Sequence, residues 1–116
     1  MAISDFTIFA DNDFTISVAI RDANGGAVSI VSPVGKFLVM DEAQTTALVT
    51  RDSGSSQNVR IYQTGGQWFL DCDVLSADTS GLTPGRFYYE CRIDSGGKKA
   101  TVRAGFFLLS ATFLRP

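Results

Sequence analysis

Apolar and polar residues alternate along most of this chain with a period of two. The clearest stretch is residues 14–21, where Phe14, Ile16, Val18 and Ile20 interleave with Thr15, Ser17, Ala19 and Arg21. Successive side chains of a strand point to opposite faces, so this pattern predicts a strand buried on one side. Residues 85–94 repeat it, with Phe87, Tyr89, Cys91 and Ile93 on one face and Tyr88, Glu90, Arg92 and Asp94 on the other. Leu82-Thr83-Pro84-Gly85 leads into that strand as a turn, because Pro84 pre-sets φ and Gly85 accepts φ > 0. Ser95-Gly96-Gly97 turns the chain back into a strand over 100–109, with Val102, Ala104 and Phe106 expected on its buried face.

The remaining elements are shorter. Residues 3–10 form a first strand with Phe6 and Ile8 on one face, broken by Asp11-Asn12-Asp13. Residues 22–26 make a hairpin turn into a short returning strand at 27–31, closed by Ser32-Pro33. Residues 35–40 are apolar on both faces, with Phe37 and Val39 opposite Leu38 and Met40, as expected between two packed surfaces or at an oligomer contact. A single helical turn is expected at 41–44 and a strand at 46–51, followed by an exposed loop over 52–57. Val59 and Ile61 alternate with Arg60 and Tyr62, and Gly65-Gly66 turns into a strand over 67–75. There Trp68, Leu70, Cys72 and Val74 share one face, and Phe69, Asp71 and Asp73 the other. Residues 76–80 read as a crossing turn, and 111–116 as an extension of the last strand or a docking tail. Eight or nine short strands with no long helix predict an all-β chain, one antiparallel sandwich domain over residues 1–116.

Composition narrows the chemistry. The 116 residues carry a formal net charge of −2, and the basic residues are scattered, which argues against a nucleic-acid or anionic membrane partner. Neither a secretory leader nor a run of apolar residues long enough to span a membrane is evident, so folding in a cytosol with reduced cysteines is expected. Histidine is absent, which removes Ser-His-Asp and Cys-His catalysis and His-ligated zinc.

Cys72 and Cys91 both fall on apolar faces; two buried free thiols are favoured over a disulfide, which the spacing leaves open. The Asp11/Asp13 and Asp71/Asp73 pairs lack the spacing of a calcium loop and are better read as turn caps and a solvated strand face. A hydrolase would need Asp71, Asp73 and Glu90 to converge in a cleft. Exposed aromatics at Tyr62, Phe69 and Tyr88 suit a protein interface somewhat better than a sugar platform.

Two segments carry a family resemblance. DFTISVAIRDANGGAVSI resembles the opening of the immunoglobulin-like N-terminal domains of phage baseplate upper proteins, where an alternating strand runs into an Asp-x-(Asn/Asp)-Gly turn. LTPGRFYYECRIDSGGKKATVRAGFFLL is similar to that family's second half, through Leu82, Gly85, the strand Phe87 to Glu90, Gly96-Gly97 and Gly105-Phe106. The middle of the chain has no counterpart. The resemblance implies an immunoglobulin-like β-sandwich. In that fold the inter-sheet disulfide joins the second and sixth strands, and the strand at 14–21 has no cysteine. Baseplate upper proteins continue into a fibre-bearing region and this sequence ends at Pro116, so the resemblance implies a stand-alone virion module. The expected function is a non-enzymatic structural protein of a phage particle, assembled in the bacterial cytoplasm, in capsid decoration or in the tail or baseplate. Its expected partners are other virion proteins and itself, without cofactor, metal, nucleic acid or membrane. Candidate interface residues are Phe37, Leu38, Met40, Tyr62, Phe69, Tyr88, Phe113 and Leu114. The alternative is a carbohydrate-binding module for adhesion to host surfaces.

Overall fold

The structure, a computed structural model, describes residues 5–10, 12–21, 25–26 and 30–110. Eight strands are found there: β1 (Phe6–Phe9), β2 (Phe14–Ile20), β3 (Val34–Asp41), β4 (Ala47–Asp52), β5 (Val59–Thr64), β6 (Gln67–Val74), β7 (Gly85–Ser95) and β8 (Lys98–Ser110). One helical turn, α1 (Ser76–Thr79), joins β6 to the β7 entry. Five strands form one sheet in the order β1-β8-β7-β3-β4, and three form the other in the order β2-β6-β5. All pairings are antiparallel except β1 with β8.

The inward faces are those set by alternation. Ile16, Val18 and Ile20 of β2, with Leu70, Cys72 and Val74 of β6, meet Phe37, Val39, Tyr89, Cys91, Phe107 and Leu109 from the larger sheet, all buried. This is an immunoglobulin-like sandwich. The chain's third, seventh and eighth strands lie together in one sheet, and its second, fifth and sixth in the other, as that fold requires. Tyr89 stands two residues before Cys91 on the penultimate strand and is fully buried, its hydroxyl donating to Asp5 at 2.5 Å. Burial, with the Asp5 carboxylate, pushes its phenol well above the ordinary value. Cys72 and Cys91 are free and fully buried, one on each sheet; the neighbouring Cys91 thiol, then burial, pushes the Cys72 thiol up.

Two expectations are corrected. A register shift between Cys91 and Arg92 lets β8 keep Val102 against the core yet turn Ala104 and Phe106 outward, so Phe107 and Leu109 are buried instead. Residues 42–46 form a turn, not a helix: Asp41 Oδ1 accepts from the Thr45 and Thr46 N–H groups at 2.7 and 2.8 Å, and Gln44 sits at φ 60°. The helical turn falls at α1, where Asp78 Oδ2 accepts from the Leu75 N–H at 2.8 Å. The turn at 22–26, the returning strand at 27–31 and the tail at 111–116 fall wholly or largely outside the described residues.

Candidate functional site

The outward face of the five-stranded sheet carries a cluster of half-exposed apolar residues. Pairing aligns its rungs: Met40, Tyr88 and Phe106 lie side by side across β3, β7 and β8, and Leu38, Glu90 and Ala104 form the next rung. Arg86 and Leu108 lie beyond, with Leu108 38% exposed. Tyr88 meets Phe106 edge-on, with ring centroids 5.6 Å apart. The Arg86 guanidinium stacks 4.4 Å over Phe106, a cation–π contact, while its Nη1 donates to Glu42 Oε2 at 2.6 Å.

Below the apolar rungs the same face becomes charged. Glu90 accepts from the Tyr88 hydroxyl at 3.0 Å and from Thr101 at 3.1 Å, and lies 3.4 Å from Arg92. Burial, then the Glu90 hydrogen bond, raises the Tyr88 phenol. Lys36 pairs with Asp94 at 2.9 Å and holds that carboxyl below its ordinary range. Between the two regions lies a hollow of about 200 Å³ bordered by Lys36, Leu38, Thr50, Asp52 and Arg92. The result is an apolar patch with an ordered polar rim.

The opposite face of the sandwich, the outside of β2, β6 and β5, is different. Tyr62 and Phe69, paired across β5 and β6, stack at 5.6 Å, with Tyr62 42% exposed. Beside them Arg60 is bonded to Asp73 at 2.7 and 2.9 Å and lies 3.9 Å from Asp71, while the Tyr62 hydroxyl donates to Asp71 at 3.2 Å. Arg60, with help from the Thr15 hydroxyl, holds the Asp73 carboxyl below its ordinary range.

The eight candidate interface residues therefore do not form one surface. Leu38, Met40 and Tyr88 cluster on the larger sheet; Tyr62 and Phe69 lie on the other side of the molecule. Phe37 is 1% exposed and belongs to the core, because strand parity points it inward with Val39, so it is no interface residue. Phe113 and Leu114 lie outside the described residues. Sequence reasoning missed Phe106 and Arg86. Phe106 was assigned to the wrong face by the unread register shift, while Arg86 shares the Tyr88 parity, a signal that was available. Glu90 lies on the face opposite Asp71 and Asp73, so these carboxylates cannot flank one bond as hydrolysis requires.

No family model matches the chain, and no curated protein does. Among solved structures, the NK cell receptor NKp44 aligns with a TM-score of 0.39 at 17% identity, over 97% of this chain and 99% of that one. Murine CRIg aligns with 0.35 at 14%, over 91% and 90%. Dpr2 Ig1-Ig2, solved in complex with DIP-Theta Ig1-Ig3, gives 0.38 at 14%, over 96% of this chain and 32% of that one. At these scores the likeness adds nothing to the strand order, on which the fold assignment rests.

Proposed function

We propose that the chain is a non-enzymatic interaction module that docks through the outer face of its five-stranded sheet, as a structural component of a phage particle. The observation that carries the docking face is the Met40–Tyr88–Phe106 rung with Leu38 and Leu108 around it, held flat by the sheet and rimmed by paired charges. Such a surface gains by losing water and pays little ordering entropy, because its aromatics are already fixed by neighbours. The phage setting rests on the resemblance of the two end segments. The test is to raise antiserum to the purified chain and probe density-gradient fractions of particles released by the source cells, comparing native chain with the L38K/M40K double variant. Co-migration of the native chain and loss of the variant are expected. Absence of the chain from particles would overturn the setting, and retention of the variant would overturn the face.

The stacked Tyr62–Phe69 pair beside Asp71 favours a second reading, adhesion to host sugars. Binding on a glycan panel that Tyr62→Ala removes would establish it.

A further inference from the structure

Among the described residues β5 is hydrogen-bonded on one side only, to β6. The two-residue turn Gly65-Gly66 makes Thr64 and Gln67 the closing pair, and in such a hairpin that pair exchanges both backbone bonds. By alternation Tyr62 and Arg60 also bond to β6, so Val59, Ile61 and Gln63 turn their N–H and C=O groups outward along the open edge. Natural edges are usually blunted by shortness, proline, bulges or inward-pointing charge. Of the four edge strands, β1 has only four residues and β4 has a register shift against β3, while β2 and β5 each run in unbroken register with β6. β5 lacks these devices: it has six residues, no proline, unbroken register with β6, and the uncharged Val59, Ile61 and Gln63 on its inward side. Its one charge, Arg60, is met by Asp73 of its own sheet.

We propose that β5 pairs antiparallel with β5 of a second copy, about a two-fold axis through Ile61, so that the three strands of each copy form one six-stranded sheet. In this register Ile61 opposes Ile61, and Val59 opposes Gln63 twice. These three pairs of outward-turned residues exchange two bonds each, about six in all. The intervening positions place Arg60 opposite Tyr62 at both symmetric sites, a cation–π pairing across the interface. Both side chains are already ordered, Arg60 by Asp73 and Tyr62 by Phe69, which lowers the entropy lost on pairing. Neighbouring registers are worse. Centring on Arg60 opposes like charges, and centring on Tyr62 sets Val59 against the turn residue Gly65, leaving about four bonds.

This interface is separate from the larger sheet's docking face and stands whether or not that face is used. The test is sedimentation velocity from low to high micromolar concentration, with amide hydrogen exchange on the same samples. A monomer–dimer equilibrium is expected, with the Val59, Ile61 and Gln63 amides slowing as concentration rises. Gln63→Pro removes an outward donor while sparing the bonds to β6, and is expected to weaken dimerisation at least about tenfold with an unchanged circular dichroism spectrum. Monomer at every concentration, a dimer indifferent to Gln63→Pro, or exchange at these three amides independent of concentration would overturn the proposal. Should Gln63→Pro fail to fold, exchange in the native chain decides alone. A dimer through the larger sheet leaves those amides unprotected and so counts against it.

Discussion

At the scale of single residues, Gly35 carries a constraint set from the opposite sheet. It opens the β3 run that the alternation pattern already marked, but nothing in the sequence says why a glycine stands there. The structure does: a Cβ at Gly35 would collide with the Leu70 side chain and press on Val59, both in the core. Its N–H also donates to Ser53 Oγ at 2.9 Å, and its carbonyl accepts from the Ser53 N–H at 2.9 Å, so the backbone is pinned from the other side. Gly35→Ala must displace a fully buried leucine, a cost of about 1–3 kcal/mol. Urea unfolding should show a lower midpoint at unchanged slope. A neutral result would mean that β3 can back away from the sheet that carries Leu70 and Val59. Close approach between sheets depends on what faces a position from elsewhere in the chain, so single-sequence periodicity leaves it unread. Phe37 is unread for a related reason: with both faces of residues 35–40 apolar, alternation alone does not say which face turns inward, and the structure buries Phe37 with Val39.

At the scale of elements, alternation located the β strands because one side of each is buried and a one-residue slip would expose that side. It failed at β8, where a register shift breaks parity within one strand, and at 41–44, where the Asp41 carboxylate organises a turn that helix propensity does not anticipate. Longer-range polar links were equally unreadable. Arg51 of β4 donates to Asp78 of α1 at 2.9 and 2.5 Å and to the Asp73 carbonyl at 3.0 Å, with both side chains less than a fifth exposed. Arg51→Ala would strand a half-buried carboxylate and should cost roughly 2–3 kcal/mol, read as a drop in thermal stability. Asp78→Asn keeps the shape and part of the bonding and should cost less. The Arg60–Asp73 pair on the outer face of β5 and β6 contributes to the response to acid. Arg60 holds the Asp73 carboxyl below its ordinary 3.8, so the folded state resists protonation where the unfolded chain accepts it. The stability this supplies is complete above that value and is lost as pH falls through the lower folded one. Asp94, lowered by Lys36, acts in the same direction. Urea midpoints should therefore hold from neutral pH to about pH 5 and fall below about pH 4, with a shallower fall in Asp73→Asn.

At the scale of the whole molecule, a sandwich with two chemically different outer faces and an open β5 edge separates what single contacts contribute. In the proposed reading the five-stranded sheet's apolar patch serves a partner and the β5 edge pairs with a second copy, on different parts of the surface. The two effects can be told apart. L38K/M40K puts two charges beside the Tyr88–Phe106 pair at half-exposed sites, so unfolding free energy should change by no more than about 1 kcal/mol. Affinity for the docking partner should fall, because the lysine at position 40 puts a charge on the Tyr88–Phe106 rung that must be desolvated on docking. Dimerisation should be untouched. Gln63→Pro should do the reverse: single-site affinity is retained, while binding to a partner displayed in many copies weakens, because two linked docking faces bind a repeated lattice far more tightly than one. Surface plasmon resonance at sparse and dense partner loading separates the cases. Loss at both densities in L38K/M40K, and only at high density in Gln63→Pro, is the expected pattern. If the two variants behave alike, the docking face and the pairing edge are one interface, and the assignment of separate roles fails.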